Sequence, residues 1–464
     1  MKQFAKKLLW ASTCSVFCLA AGASQAADWP EYAGDKHASR YLANGLATKD
    51  SVKNMKVAWR YTLPDSEIAL DNPDLRVWVN ESTPLAIDGI LYTSSPLGLV
   101  AAIDGKTGKE LWTYDPGGYE TFQMANLGFI QRGITFVEHE GKKRLIANTA
   151  DTYLVMLDAK TGKPVESWGD KGRFDLAKNL RREVPRDMVM LDSPPIICAG
   201  NIIPSLGVFD SFATGAVPLK NHPPGDIVGI DVKTGKRNWI FHNPPKDGEF
   251  GADTWGGGNW IGGANMWARP TCDDELGLVY AIFSSPANDY YGGERPGNNL
   301  FSQSLVAIDA KTGKRKWHFQ TLHHDLLDYD LPTGPNLMDI TVDGKKIKAA
   351  IQLTKQGYIF AFNRVTGEPI WPIEERPAPQ GDIEGEWYSP TQPHPTHPKP
   401  YSMQGSYEKN LIDLTPELKA KAKKIFDRYC TGDLYTPPCA KGAGTMQTPG
   451  VLGGVSWAGG AHNP

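Results

Sequence analysis

Several hallmarks of common protein classes are absent from this sequence. Beyond the first residues, no run approaches the roughly eighteen consecutive apolar residues that a membrane-spanning helix requires, so no transmembrane segment is expected in the mature chain. Lysine and arginine form no basic block and the net charge of the 464 residues is −3, which makes nucleic acid and anionic membrane surfaces poor candidates for partners. No Cys-x-x-Cys-His motif occurs, which excludes that route to a covalently bound haem.

Cysteine is also scarce, with six residues in the chain. Cys14 and Cys18 lie in an N-terminal stretch in which lysines precede an apolar run at 8–21 and small residues follow at 24–26. This is the pattern of an export signal. We therefore expect residues 1–26 to be cleaved as a signal peptide; the alternative is an anchor that the protein retains.

The four remaining cysteines fall into two pairs. Cys430 and Cys439 are close in sequence, flank a Pro-Pro turn and belong to a chain expected to be exported, so we expect a disulfide between them. Cys198 and Cys272 lie in apolar, strand-like segments and are expected to be buried free thiols.

Glycine, proline and tryptophan are plentiful, with 48, 35 and 14 residues. A chain this rich in turn formers and large aromatic residues favours many short strands joined by tight turns. A repeat of the approximate form apolar-Asp-x-Lys-Thr-Gly-Lys, followed by a tryptophan, recurs along the chain. Its copies lie at 102–112, 156–168, 229–239 and 307–317, with a looser copy at 361–371.

Each copy of the repeat has the pattern of a β-hairpin. An apolar strand ends at Asp or Asn, whose side chain can cap the turn, and Thr-Gly supplies the residue with positive φ. The next strand leads to the tryptophan, whose indole can pack on a neighbouring sheet. Successive turns lie 54 to 78 residues apart, which suits one four-stranded propeller blade per repeat. The alternative is a two-sheet sandwich in which the five turns coincide by chance.

The repeats predict an all-β fold in which residues 27–464 form one β-propeller. The segment 57–61 resembles the outgoing strand of a further blade, which brings the expected number to about six. Residues 451–464 resemble a blade that starts without finishing.

One part of the chain departs from the repeat pattern. Residues 376–400 are rich in proline and unsuited to the interior of a sheet. A helix is predicted to follow, with Thr415 as N-cap, Pro416 at its first position and an end near Tyr429. We therefore interpret residues 376–445 as an excursion on one face of the propeller.

The segment 317–332 combines a strand pattern with an unusual density of titratable side chains. Trp317, Phe319 and Thr321 alternate with polar residues, as in a half-buried strand. Such a density of charge beside aromatic residues is costly to bury unless it serves a function. The titratable residues fall within eight positions: His323, His324, Asp325, Asp328 and Asp330.

Three features together carry a resemblance to a known family. They are the turn repeats, the opening segment 28–35 with Arg40 and Tyr41, and the sequence His-His-Asp-Leu-Leu-Asp-Tyr-Asp-Leu-Pro at 323–332. With these features the mature chain resembles the dehydrogenases that depend on pyrroloquinoline quinone (PQQ), in particular the branch of glucose, quinate/shikimate and polyol enzymes.

The resemblance implies both a fold and an activity. The family propeller has about eight blades, of which about two final blades are missing from this sequence. The implied enzyme is periplasmic, oxidises an alcohol, polyol or sugar by hydride transfer to PQQ, and passes electrons to a quinone or a cytochrome. The alternative is a non-enzymatic exported propeller scaffold, or an inactive truncated relative.

The resemblance also implies roles for particular residues. Asp328 matches the catalytic aspartate, which takes the substrate's hydroxyl proton, although a turn-capping carboxylate is the alternative. Lys355 matches the cation that hydrogen-bonds the quinone oxygens. Trp267 matches the ring on which PQQ lies flat, and Arg132 an arginine that pairs with PQQ carboxylates. Further polar lining positions, with strand-end capping as the alternative, are matched by Glu81, Thr149 and Asp151.

A divalent metal, usually calcium, accompanies PQQ in this family. Such hard cations prefer carboxylate and amide oxygens. Asp210 lies where the family places its acidic ligand, and Asp328 can also reach the ion. Asn288 and Asp289 lie near the place of the amide ligand and remain alternatives to each other.

The sequence departs from the family at the expected mouth of the active site. Residues 126–128 stand where the alcohol-oxidising branch has adjacent cysteines, and no histidine lies near Gly128, where the glucose branch tends to have one. Leu327 replaces the tryptophan that commonly precedes the catalytic aspartate. The resemblance therefore leaves the identity of the substrate open.

Overall fold

The computed structural model describes residues 28–43, 47–121, 128–209 and 222–464. The expected signal peptide, Asn126, Leu127 and the candidate metal ligand Asp210 lie outside these residues. No helix among the described residues is long and apolar enough to cross a membrane.

The fold is a β-propeller, as the repeat predicts. Four antiparallel four-stranded sheets and one three-stranded sheet follow one another along the described chain, so one fewer blade is present as a sheet than the sequence suggested. We number these sheets blades 1 to 5. Their strands are Leu85–Ile87, Ile90–Ser94, Val100–Asp104 and Glu110–Tyr114 in blade 1; Thr135–His139, Lys142–Asn148, Tyr153–Asp158 and Arg173–Asp175 in blade 2; Ile196–Cys198, Asn201–Ile203, Ile227–Asp231 and Arg237–Phe241 in blade 3; Thr271–Asp273, Leu278–Ile282, Ser304–Asp309 and Arg315–Gln320 in blade 4; and Asn336–Val342, Lys345–Leu353 and Ile359–Asn363 in blade 5.

Shorter elements connect the blades. Three pairs of strands form small sheets: Val77–Asn80 with Phe129–Gln131, Val189–Met190 with Gly207–Val208, and Ile373–Pro377 with Thr391–Pro395. The α-helices are Ser66–Asp71 and Pro416–Phe426, and the 3-10 turns are Val52–Asn54, Gly118–Glu120, Ala177–Asn179, Arg186–Met188, Ala252–Trp255 and Glu408–Asn410.

The repeated turns form the predicted hairpins. In blade 1, Asp104 Oδ1 accepts hydrogen bonds from the backbone N–H of Lys106 and from both the N–H and the hydroxyl of Thr107. These bonds, the Thr107 hydroxyl first, hold the pKa of Asp104 below its usual value. Gly108 follows at φ 72°, the left-handed conformation that the turn requires. Asp158, Asp231 and Asp309 accept the same set of bonds in blades 2 to 4.

The repeat tryptophans join each blade to the next. Trp112 at the end of blade 1 donates its indole N–H to the carbonyl of Ala159, which follows the turn aspartate of blade 2, and its ring lies on the turn glycine Gly162. Trp168, Trp239 and Trp317 make the same pair of contacts with blades 3, 4 and 5. We call this arrangement the indole joint. Apolar side chains fill the space between neighbouring sheets around it.

The segment 57–61 docks on blade 1 without forming the predicted strand. Trp59 donates to the carbonyl of Gly105 at 3.0 Å and packs on Gly108, so it makes an indole joint with blade 1. Residues 57–61 have no regular secondary structure, however, and the prediction of a strand there was wrong. A strand needs a partner, and the described residues provide none beside it.

The proline-rich segment contributes to a small sheet, which the sequence did not predict. Ile373–Pro377 and Thr391–Pro395 pair as a two-stranded antiparallel sheet. Proline is accommodated because each strand of such a sheet has a free edge. The helix begins as predicted, with the Thr415 hydroxyl accepting from the N–H of Leu418 at 3.2 Å, and ends three residues before Tyr429. The Cys430–Cys439 disulfide is present.

The prediction of free thiols at Cys198 and Cys272 was wrong, because they form a disulfide. Cys198 ends the innermost strand of blade 3, and Cys272 lies in the innermost strand of blade 4. The propeller brings these strands together, with 5.8 Å between the two Cα atoms, although 74 residues separate the cysteines in sequence.

The prediction of a new blade at 451–464 was also wrong, since no strand occurs there. The segment instead crosses the face of the propeller. The N–H of Gly454 donates to the carbonyl of Lys355 at 2.8 Å, and the N–H of His462 donates to the carbonyl of Ser39 at 2.9 Å. These contacts place the ring of Trp457 near the guanidinium of Arg132.

Candidate active site

One side chain from each blade converges on a common cavity. Each lies a few residues before the innermost strand of its blade, where the connecting loop turns in toward the centre. The cavity measures about 480 Å³, a size typical of small-molecule sites. The five residues, from blade 1 to blade 5, are Glu81, Arg132, Asp192, Trp267 and Asp330.

Lys355 holds the centre of the cavity wall. It lies in the loop between the second and third strands of blade 5 and is only 6% exposed. Its ammonium donates to Asp328 Oδ1 at 3.0 Å, to the carbonyl of Asp328 at 2.8 Å and to Asp330 Oδ2 at 2.9 Å. Two carboxylates therefore share one buried cation.

Asp330 fixes the neighbouring groups in place. Its Oδ2 also accepts from the indole N–H of Trp267 at 3.2 Å, and its Oδ1 accepts from the N–H of Ser285 at 2.8 Å. Burial opposes the charge of this carboxylate, but Lys355, together with the N–H of Ser285, holds its pKa below the usual value. Asp330 is thus a fixed anion that orients both Trp267 and Lys355.

Asp328 behaves differently from Asp330. Burial, followed by the negative charge of Asp330, raises its pKa well above the usual value, and Lys355 opposes the shift. Its Oδ2 accepts a hydrogen bond of 3.4 Å from the hydroxyl of Tyr290. The backbone at Asp328 has φ 54°, a strained conformation that turns the side chain out of the loop and into the cavity.

Burial opposes the charge on Lys355, but Asp330 and Asp328 outweigh it and hold its pKa above the usual value. The ammonium therefore stays protonated between its two partners.

Arg132 forms a second charged cluster in the cavity lining. Its Nε donates to Glu81 Oε2 at 2.7 Å, and its Nη1 donates to Asp192 and to the hydroxyl of Ser193. The guanidinium carbon also lies 5.1 Å from the ring centre of Trp267. Burial, opposed by Arg132, raises the pKa of Glu81. The cluster unites blades 1 to 4.

Trp457 from the segment 451–464 lies beside this cluster. Its ring centre lies 5.6 Å from the guanidinium carbon of Arg132. Val451, Leu452 and Ser456 of the same segment also line the cavity.

Two of the predicted lining residues lie elsewhere. Thr149 and Asp151 do not line the cavity; they form a turn between the second and third strands of blade 2, in which the Thr149 hydroxyl donates to Asp151. Arg186 caps the same turn by donating to the carbonyl of Asp151 at 3.0 Å. The strand-end alternative describes what both side chains do here.

Two further titratable residues of 317–332, Asp325 and His324, hold the segment that carries Asp328 in place. Asp325 is buried and accepts from the hydroxyl of Ser285 and from the N–H groups of Leu327 and Tyr329, which fixes the loop that carries Asp328. His324 contacts the carboxylate of Glu386, from the excursion, at 3.0 Å. Leu327, which replaces the expected tryptophan, is buried in the hydrophobic core that blades 3 to 5 share.

A family model described as the PQQ glucose/ethanol/alcohol dehydrogenase β-propeller domain matches residues 29–464. The chain belongs to this family.

Relatives within this PQQ family include sugar and polyol enzymes. Quinoprotein glucose dehydrogenase of Escherichia coli (strain K12) is 32% identical over 462 residues, which cover 94% of this chain and 54% of that protein. The large subunit of glycerol dehydrogenase from Gluconobacter oxydans (strain 621H) is 32% identical over 450 residues, which cover 94% and 58%. These matches confirm the predicted branch. The chain spans just over half the length of these relatives.

A solved structure supports the same assignment. The crystal structure of quinohemoprotein alcohol dehydrogenase from Comamonas testosteroni matches with a TM-score of 0.62 and 26% identity, over 81% of this chain and 53% of that one. The predicted propeller of the PQQ family is therefore confirmed.

The cavity residues fit a planar, anionic cofactor such as PQQ. Trp267 offers an aromatic ring whose orientation is fixed by Asp330, and such rings stack on planar conjugated molecules. Lys355 and Arg132 both line the cavity and carry cationic donors that can pair with the oxygen atoms of such a ligand. We identify Trp267, Lys355 and Arg132 as the residues that would hold PQQ.

The described residues do not complete a metal site. Asp289 and Asp328 both line the cavity, but the carbonyl of Asn288 accepts from Arg295 and its side chain accepts from the N–H of Tyr290. Among described residues, the one group of three acidic, histidine or cysteine ligands that converge contains the Cys198–Cys272 disulfide with Asp274. None of its three residues is a predicted ligand, and a disulfide cannot offer two thiolates.

Sequence reasoning missed three parts of the site. Asp192, in Leu-Asp-Ser-Pro-Pro at 191–195, matched no motif, although its place before an innermost strand is the one shared by Glu81 and Arg132. Asp330 stood out in the sequence only as one of five titratable residues, but it holds both Trp267 and Lys355. Trp457 was assigned to a blade that does not form.

Proposed function

We propose that this chain is the catalytic propeller of a periplasmic quinoprotein dehydrogenase that oxidises an alcohol, polyol or sugar and passes the electrons to a quinone or a cytochrome. The observation that carries the proposal is the pair of Asp328 and Lys355 on the wall of a cavity floored by an anchored tryptophan. A propeller scaffold has no need of two carboxylates that share a buried ammonium at the cost of their desolvation.

Asp328 is the proposed general base. Lys355 holds Oδ1 and the backbone carbonyl, which leaves Oδ2 directed toward the cavity and within reach of a hydroxyl. The raised pKa of Asp328 increases its affinity for a proton, which suits a carboxylate that removes the substrate's hydroxyl proton. When bound, PQQ would accept a hydride from the substrate carbon that carries this hydroxyl.

Lys355 and Asp330 support this chemistry. Asp330 remains ionised and keeps Lys355 charged, so the ammonium can stabilise negative charge that develops on a neighbouring oxygen. Asp330 also prevents rotation of the Trp267 ring by holding its indole N–H. We further propose calcium in this cavity, with Asp328 and Asp210 as ligands and Asn288 or Asp289 as alternatives.

Reconstitution of the full chain with PQQ and calcium, followed by dye reduction with a panel of polyols, sugars and alcohols, tests the proposal. Asp328→Asn is expected to retain PQQ, measured by its absorbance, and to lower kcat by roughly 10²- to 10⁴-fold. Asn tolerates the positive φ at this position.

Asp343→Asn is the matched control, because Asp343 also has positive φ, 49°, but lies exposed in the first hairpin turn of blade 5. An unchanged rate in Asp328→Asn would remove the proposed role. A chain that takes up no PQQ would favour the scaffold alternative.

A further inference from the structure

Tyr290 is the one aromatic hydroxyl that the described contacts place on the proposed base. It lies in the loop between the second and third strands of blade 4, lines the cavity and is 37% exposed. Its hydroxyl lies 3.4 Å from Asp328 Oδ2, the carboxylate oxygen that Lys355 does not hold. A substrate that places a hydroxyl on this oxygen must therefore also meet Tyr290.

The position of Tyr290 is fixed by its loop. Its backbone N–H donates to the side-chain carbonyl of Asn288 at 3.2 Å. Two residues later, the N–H of Gly292 donates to Glu386 Oε2 at 2.6 Å. Glu386 also contacts His324, which lies four residues before Asp328. One buried carboxylate thus ties the loop of Tyr290 to the loop of Asp328.

We propose that Tyr290 selects substrates with a hydroxyl on the carbon next to the one that is oxidised. This inference rests on the proposed function of Asp328. The two oxygens of the pair, Asp328 Oδ2 and Tyr290 Oη, are spaced much like the two oxygens of a vicinal diol. One substrate hydroxyl can donate to Asp328, and its neighbour can exchange a hydrogen bond with the phenol, which both donates and accepts.

A monohydric alcohol leaves the phenol without its second partner. When such a substrate takes Asp328 Oδ2, it has no second hydroxyl to exchange a hydrogen bond with Tyr290, whose phenol is partly open to water. A site with a polar group placed for a substrate hydroxyl discriminates against the analogue that lacks it, because the analogue forgoes that hydrogen bond. The arrangement favours polyols and sugars over simple alcohols.

The test compares propane-1,2-diol with propan-1-ol and propan-2-ol in the PQQ- and calcium-loaded protein. Wild type is expected to prefer the diol in kcat/KM. Tyr290→Phe is expected to lower kcat/KM for the diol about 3- to 10-fold, mainly through KM, and to leave the values for both propanols within about twofold. PQQ uptake, followed by absorbance, is expected to match wild type.

Tyr291→Phe is the control. Tyr291 is equally exposed at 37%, but its hydroxyl lies beside Gly293 and Gly385 and away from Asp328. It is expected to change none of the three values. An equal loss for diol and propanols, no loss at all, or a loss of PQQ uptake in Tyr290→Phe would overturn the inference alone. Oxidation of another member of the panel but of none of these three would also overturn the inference alone, whereas oxidation of no polyol, sugar or alcohol of the panel by wild type would overturn the proposed function with it.

Discussion

Asp328 and Asp330 share the ammonium of Lys355, yet their surroundings shift their pKa values in opposite directions. Asp330 accepts from Lys355, Trp267 and the N–H of Ser285 and is held ionised. Asp328 has fewer donors and feels both burial and the charge of Asp330, so its pKa is raised. Separation of two neighbouring carboxylates in this way assigns one to structure and the other to proton transfer.

Replacement of Lys355 should expose the cost of this arrangement. Lys355→Met would leave two buried carboxylates without their cation, and we expect the free energy of unfolding to fall by about 3–5 kcal/mol. Urea denaturation followed by tryptophan fluorescence measures the change.

Lys348→Met provides the comparison, because Lys348 pairs with the exposed Glu275 on the surface. That variant should lose about 0–1 kcal/mol. Equal losses in the two variants would show that the Lys355 cluster contributes no more than a surface ion pair.

The sequence predicts individual residues of the site better than their partners. Asp328 and Lys355 stand in recognisable motifs, and the structure places both in the cavity lining. The role of Asp330 depends on Trp267 and Ser285, which come from blade 4 and lie more than forty positions away. Asp192 has no signal of its own, since an Asp before a Pro-Pro pair is common in loops.

The blade elements follow local rules, and the sequence predicts them well. Asp, Thr and Gly at fixed spacing specify each repeat turn through bonds within a few residues, as in 104–108. The segment 451–464 obeys no such rule. Its conformation is set by distant groups, such as the carbonyls of Lys355 and Ser39, and a pattern of Gly and Trp does not reveal them.

Glu386, in the excursion, holds together the loops that contain Gly292 and His324. Its side chain is 2% exposed and accepts from the N–H of Gly292 while it contacts His324. Glu386→Ala would leave both groups buried without this partner. We expect unfolding free energy to fall by about 1–3 kcal/mol, and residues 376–445 to become more susceptible to limited proteolysis.

Glu384→Ala, at an exposed position two residues earlier, should change neither quantity. Retained resistance to protease in Glu386→Ala would show that the excursion is held by its other contacts.

The last strand of blade 4 carries a pH-sensitive group. Burial, and then the charge of Arg315, lowers the pKa of His318 to about 4; its ring packs against Phe250 and Phe301. The unfolded chain takes up a proton near the ordinary value of 6.5, whereas the native imidazole stays neutral. The stability that His318 contributes is therefore present above pH 6.5 and decreases as pH falls toward 4.

Thermal melting between pH 7 and pH 4.5 tests this effect. His318→Asn should reduce the decrease in Tm across this range. The same substitution at His397, which is exposed in the excursion, should leave the pH dependence of wild type intact. A slope that is identical in all three proteins would assign the acid sensitivity to other groups.

At the scale of the whole molecule, stability depends on the indole joints. Trp59, Trp112, Trp168, Trp239 and Trp317 each donate to a backbone carbonyl in the blade that follows, at 2.9 to 3.1 Å. Each ring also covers a turn glycine, where an added methyl group would overlap the indole. The joint therefore requires glycine for space as well as for its positive φ.

Two glycines of blade 2 allow the need for space to be measured apart from the need for positive φ. Gly162 has φ 70° and lies under Trp112, while Gly141 has φ 68° and no heavy atom within 4 Å of an added Cβ. Gly141→Ala should cost about 1–2 kcal/mol from backbone strain alone. Gly162→Ala should cost about 1–3 kcal/mol more, because the ring must move.

Chemical denaturation of both variants measures the difference. Equal costs would show that the indole contact can shift without loss.

The indole joint also affects how such a protein can change over time. Every described boundary between neighbouring blades uses the same Trp ring, backbone carbonyl and turn glycine. A duplicated or exchanged blade therefore already has the groups that its neighbours need for packing. Each blade meanwhile supplies a different side chain to the cavity from the loop before its innermost strand. New substrates can therefore be acquired by exchange of one such loop, while the scaffold that carries it is inherited unchanged.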